Sequence, residues 1–200
     1  EEAPERRNFA AVMSLASFFL VTHEDEEAEV RRAGWIYLIA AHIGVVFLFA
    51  LFAGLGTFCG SLDFDAFLAS GKAAPFAEAA FLLALVGFGS KAGFLPFHVW
   101  LPEAHPAAPS HVSAVMSGVM IKMGIYGLLR TLTFLGLPPM HWGVILLVVG
   151  GVSGVMGVLY ALAQHDLKRL LAYHSVENIG IIALGIGFGG PVESETGQAL

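Results

Sequence analysis

The chain has 200 residues, of which 56% are hydrophobic and only 13% charged, with a mean hydropathy of +0.75. Soluble domains carry about 25% charged residues, so this composition excludes one and identifies an integral membrane protein. The net charge of −6 owes most to seven acidic residues in the first 27 positions, and no basic patch could hold nucleic acid.

Six apolar segments follow one another along the chain. The first, residues 9–22, has only about thirteen apolar positions, short of the roughly 17–25 that cross a bilayer as helix. No signal peptide is visible ahead of it, and the segment reads as clipped, as in a piece of a longer chain. A charged loop, HEDEEAEVRR, leads to the second segment, residues 34–58, which ends near the lone Cys59. With one cysteine no disulfide can form within the chain. A polar stretch, SLDFDAFLASGK, precedes the third segment, residues 75–100, which contains Pro96. The fourth runs over residues 109–130, the fifth over 142–163 and the sixth over 170–189. Lipid admits only helices and closed barrels, and apolar runs of about 20 residues exclude barrel strands. The expected fold is therefore all-α: a polytopic transmembrane helix bundle of about six helices, one of them proline-broken, forming a single membrane domain over residues 1–200.

The third and fourth segments hold most of the chemistry. Pro96 has no amide donor, so it bends or breaks its helix and frees a carbonyl. Broken helices mark ion sites in many transporters. Lys91 lies shortly before that break. It reads either as a proton carrier or as a plug for freed carbonyls. Lys122 lies in the middle of the fourth segment, too far from either end to snorkel at about 1.5 Å per residue. An ammonium at mid-membrane costs about 2.5–3.5 kcal/mol, which makes each lysine a functional candidate. Between them, His98, His105 and His111 fall within fourteen positions. Each reads as a hydrogen-bonded core or loop residue or as a proton relay, for which imidazole is suited. Uniform helical spacing puts His111 and Lys122 on one face, about 16 Å apart. A zinc site lacks its spacing here, with no HExxH and no CxxC, so no metal is expected.

Further along, Gly150, Gly154 and Gly157 form a small-residue stripe that fits close helix packing. His174 and Glu177 are three apart on the sixth segment and so are neighbours on one helix face. They read as an inert pair or a relay pair. His42 reads as a satisfied core histidine, and Glu78 as a helix-start acid favoured by the dipole. Arg31, Arg32, Lys168 and Arg169 fall on one side of the membrane and Lys72 and Arg130 on the other. The excess of positive charge places the first group, with LPEAHPAAPS, in the cytoplasm.

The stretch GSKAGFLPFHVWLPEAHPAAPSHVSAVMSGVMIKMGIYGLLR, followed by HDLKRLLAYHSVENIGII, resembles the antiporter-like membrane subunits of the complex I superfamily. Its wording is most similar to the large membrane subunits of hydrogenase-4 and formate hydrogenlyase complexes. The resemblance implies a fold of about fourteen helices in two inverted repeats, each with a broken helix, of which this chain holds the fifth to the tenth. It implies that Lys91 and Lys122 transfer protons and that His98 and His105 are the histidines of the broken-helix motif. It implies partner membrane and hydrophilic subunits that carry the redox centres, with no cofactor on this chain, in the inner cell membrane of a prokaryote. The family usually has a tryptophan–glutamate pair before the MSLASFFLV-like motif, where this chain has Ala10 and Ala11. The second broken helix also lies beyond this sequence.

The function expected on these grounds is proton translocation in a membrane-bound hydrogenase or an NADH:quinone oxidoreductase-like complex. The route runs through Lys91, Lys122, His98, His105, His111, His174 and Glu177. Two rivals stand beside it: a sodium/proton antiporter subunit, moving sodium as well as protons, and a membrane anchor that conducts nothing.

Overall fold

Long apolar stretches closed by glycine and proline become long helices. The computed structural model describes residues 3–64, 66–67, 76–136 and 138–196, with side chains described between 12 and 189. Seven α-helices are described: α1 (Ala3–Val21), α2 (Ala28–Cys59), α3 (Ala77–Ala92), α4 (Leu101–Ala107), α5 (Ser110–Leu135), α6 (Met140–Leu162) and α7 (Leu167–Thr196). No strand occurs among the described residues. Gly60 ends α2 in the left-handed region at φ 74°, a conformation open to glycine without a Cβ penalty. Pro109 and Pro139 stand just outside α5 and α6, where a missing amide costs nothing.

Five helices are long and apolar enough to cross a membrane, with α3 and α4 counted together as Ala77–Ala107 across their break. The first expected segment is represented by a shorter apolar helix, Val12–Val21. The helices outrun the apolar segments: α2 starts six residues before position 34 and α5 continues past Arg130. Hydropathy marks what lipid tolerates, whereas backbone hydrogen bonding continues through charged flanks.

The core lies among α2, α3, α4 and α5, with Leu48, Leu51, Phe81, Leu101 and Leu128 buried in it. Phe81 stacks on Trp142 at 4.6 Å between centroids and so ties α3 to α6. Helices α6 and α7 pack as a close hairpin: a Cβ on Gly180 would meet the Gly154 nitrogen at 2.5 Å and the Gly150 carbonyl at 2.7 Å. Only glycine allows that approach, as the stripe in α6 led one to expect. The outward faces carry Trp35, Ile39, Val46, Phe49, Val148 and Val155, all exposed. In water such a surface would be a liability, but hydrocarbon is its natural solvent.

Contacts also fix which chain ends lie on the same side. Lys168 Nζ donates to the carbonyls of Pro106 (3.2 Å) and Ala108 (2.9 Å), and Arg169 lies 3.6 Å from Glu103. The LPEAHPAAPS stretch therefore shares a side with Lys168–Arg169, as the charge pattern implied. Lys72 falls outside the described residues. On the opposite side Glu78 accepts from His141 (2.6 Å) and Trp142 (2.9 Å), which supports its structural reading. His42 differs from expectation: it is exposed on α2, with Nδ1 2.8 Å from the Leu38 carbonyl of its own helix.

Candidate functional site

The helix ends at Ala92, whose carbonyl Pro96 cannot bond, and Gly93 makes the turn that follows. Gly93 takes φ 83°, and its amide and that of Phe94 both return to the Gly89 carbonyl, which closes α3. A Cβ at Gly93 would overlap the Leu101 side chain, so glycine is required twice over. The Leu95–Pro96 peptide, which is cis, and a 3-10 turn at Phe97–Trp100 then lead into α4. Breaking a helix at this depth strands backbone groups that lipid cannot satisfy. Two side chains take them up. Trp100 Nε1 donates to the Ser90 carbonyl (2.8 Å), and the Leu95 amide donates to Oγ of the fully buried Ser153 on α6 (3.0 Å).

This arrangement holds Lys91 on the last turn of α3, only 8% exposed. Its Nζ donates to Ser14 Oγ on α1 at 2.5 Å. A small cavity of about 10 Å³ adjoins it, lined by Tyr37, Ala41, Ser90, Lys91, Trp100 and Met120. That is about the room one water needs. Lys91 thus has the enclosure the sequence implied and a polar partner that the sequence did not reveal.

The histidines divide. His105 on α4 is buried, its Nδ1 2.6 Å from Ser113 Oγ, while its Nε2 is enclosed with no hydrogen-bond partner among the described residues. His98 on the 3-10 turn lies against Tyr160 and Tyr173, with ring centroids 6.3 and 6.4 Å away. Its Nδ1 is likewise buried, with the Pro96 carbonyl as its backbone neighbour but no bond of good geometry among the described residues. Buried polar atoms are nearly always satisfied, so both point to places where a water would bond. His111, at the start of α5, is exposed and lines a groove of about 280 Å³ beside α1.

Lys122 departs from expectation. It sits mid-span on α5 but is exposed, with Nζ donating to the Ser117 carbonyl at 3.2 Å. The described residues do not wall it in. Between it and His111, residues Met116–Met120 form a π-turn, and His111, Val115, Val119 and Lys122 are all exposed along the helix. Val119 and Met120 still line the His111 groove, whereas Lys122 does not. Ser117 in that turn meets Ser175 of α7 at 3.0 Å between hydroxyl oxygens. Next to Ser175, His174 Nδ1 lies 2.6 Å from Glu177 Oε2, so the pair read from the sequence is formed.

Ser14, Tyr37, Ser153 and Met120 escaped sequence reading. A serine in an apolar run is unremarkable alone, and each gains meaning from a partner far along the chain. Ala10 and Ala11, the departures from the family pattern, have side chains outside the described residues. Among the described residues, no group of three or more His, Cys, Asp or Glu comes together.

The NADH:quinone oxidoreductase/Mrp antiporter transmembrane family matches residues 9–196. Hydrogenase-4 component B of Escherichia coli is 49% identical over 180 residues, covering 88% of this chain and 26% of its own. Formate hydrogenlyase subunit 3 of the same organism is 36% identical over 180 residues, covering 90% and 28%. A chain in the structure of an Mrp complex from Dietzia superposes with a TM-score of 0.81 at 30% identity, over 89% of this chain and 20% of that one. The membrane-bound sulfane sulfur reductase, an archaeal respiratory membrane complex, shares the fold at a TM-score of 0.81 and 24% identity. The chain spans about a quarter of the length of the two Escherichia coli relatives. With a lysine enclosed at a helix break, long apolar helices and a family match over nearly its whole length, this chain is an integral membrane protein of the NADH:quinone oxidoreductase/Mrp antiporter family.

Proposed function

We propose that the chain is the part of a proton-translocating membrane subunit that holds one proton site and the start of its exit route. The subunit belongs to a membrane-bound hydrogenase or complex I-like assembly in the inner membrane of a prokaryote. The observation that carries this reading is Lys91: an ammonium enclosed at a helix break, held by a hydroxyl and facing a cavity the size of one water. Enclosure away from bulk water makes an amine's protonation responsive to nearby charge, as a coupled proton carrier requires. The enclosed ring nitrogens of His98 and His105 supply further acceptors or donors on the same broken segment. Lys122, His111 and the His174–Glu177 pair complete the proposed route, joined by water. Redox centres belong to partner subunits, and their chemistry reaches this chain as a shift of charge that alters the proton affinity of Lys91. The likeness to hydrogenase-4 component B and formate hydrogenlyase subunit 3 supports the hydrogenase setting.

The test is Lys91→Ala in the complete subunit within its complex. Proton translocation is lost while the complex still assembles and its electron transfer persists. Undiminished translocation in that variant refutes the reading. A sodium/proton antiporter subunit is the second reading, favoured by the structural likeness to a chain of the Mrp complex. The genes beside this one separate the two: hydrogenase or quinone-reductase subunits in the first case, small membrane subunits alone in the second.

A further inference from the structure

Met120 lines two spaces at once. One is the cavity at Lys91. The other is the 280 Å³ groove between α1 and α5, whose walls include Met13, Ser17, Leu20, His111 and Val115. Leu20 ends α1 and His111 begins α5, so the groove opens on the side that carries Arg31 and Lys168. From His111 to Met120 it reaches about 13 Å into the span.

The Met120 sulfur is where two hydroxyls converge: Ser17 Oγ donates to it at 3.3 Å and Tyr37 Oη at 3.4 Å. A thioether is a weak acceptor, so both donors would be better satisfied by water. Tyr37 also has Ser17 and Ser14 as hydrogen-bonding neighbours, and Ser14 holds Lys91. Hydroxyls therefore run from the groove to the lysine as Ser17, Tyr37 and Ser14, with the methionine lying across them. Methionine is unbranched and changes rotamer readily, and an apolar constriction of this kind closes a water path by drying it.

We propose that Met120 gates proton access to Lys91 from the His111 groove, and that Ser17, Tyr37 and Ser14 pass the proton beneath it. When the side chain swings aside, water reaches Ser17. Each hydroxyl oxygen then accepts one proton and releases its own to the next, and Lys91 Nζ goes from amine to ammonium. No hydroxyl is left charged. When Met120 returns, the hydroxyls point to sulfur again and the way back is closed. This gate rests on the reading of Lys91 as a proton carrier and adds its control.

The experiment uses the complete subunit in its complex, reconstituted in vesicles. Val115→Cys and Val119→Cys, on the groove wall, react with a water-soluble methanethiosulfonate added from the Arg31 side, above the background of the unsubstituted protein. Met120→Ala raises the passive proton conductance about tenfold, the rate change of a barrier lowered by about 1.4 kcal/mol. Adding Tyr37→Phe to Met120→Ala reverses the leak. Met120→Val replaces Met120→Ala if the latter does not assemble. Absence of labelling from either side means that lipid or another segment fills the groove, and this overturns the proposal. So does an unchanged leak in Met120→Ala, or a leak that Tyr37→Phe leaves intact. Loss of pumping in Lys91→Ala with no leak in Met120→Ala defeats the gate alone, whereas intact pumping in Lys91→Ala defeats the proton-carrier reading beneath it.

Discussion

The two lysines solve the same electrostatic problem in different ways. Lys91 is enclosed by its own chain and rests on Ser14. Removing that hydroxyl leaves a buried cation short of an acceptor, a loss of about 1.5–3 kcal/mol for a bond to a charged group. Ser14→Ala should therefore slow proton translocation more than assembly, with Ser14→Thr restoring most of it; vesicle acidification and complex yield measure the two. Lys122 turns outward from α5, where lipid contact would cost it about 2.5–3.5 kcal/mol. The described residues do not wall it in. Lys122→Ala in the complete subunit is expected to abolish translocation without loss of assembly, which proton-flux and co-purification assays resolve. The mid-membrane position of both lysines was legible from hydropathy alone. Ser14 was not, since it meets Lys91 across 77 positions, and the π-turn at Met116–Met120 leaves no mark in the sequence.

The broken helix shows how a local signal can mark an event whose other parts lie elsewhere in the chain. Pro96 cannot bond the Ala92 carbonyl, Gly93 turns left-handed just after it, and Trp100 and Ser153 take up the groups the break frees. Trp100→Phe keeps the ring and strands the Ser90 carbonyl, and Ser153→Ala strands the Leu95 amide. Each leaves a buried polar group unsatisfied at about 1–3 kcal/mol, so both variants should lower the thermal stability of the detergent-solubilised complex. Gly93→Ala adds a left-handed Cβ penalty of about 1–2 kcal/mol to an overlap with Leu101. The α6–α7 hairpin depends on Gly180 in the same steric way. Gly180→Val should force the helices apart, read as lost assembly. The glycine stripe of α6 was visible in sequence, while its counterpart on α7 became visible only from the facing backbone.

At the level of the assembled bundle, sidedness is consistent throughout. The charged residues Arg31, Lys168, Arg169 and Glu103 gather at one face and Glu78 and His141 at the other. Ala11 stands three residues before Ser14 on α1, at the position where the family resemblance implies a glutamate. Ala11→Glu in the complete subunit is expected to raise proton flux by adding the carboxylate that the resemblance implies on α1. Flux unaltered by that carboxylate would favour an anchor that does not conduct.

Composition and patterning were enough for the membrane, the all-helical fold, the broken segment and the depth of both lysines, because each follows from transfer free energies and helix spacing along one stretch of chain. Which lysine is enclosed, what satisfies the broken backbone and which hydroxyls meet at Met120 depend on groups brought together from distant positions. Burial and hydrogen bonding are properties of neighbours in space, and packing alone selects those neighbours.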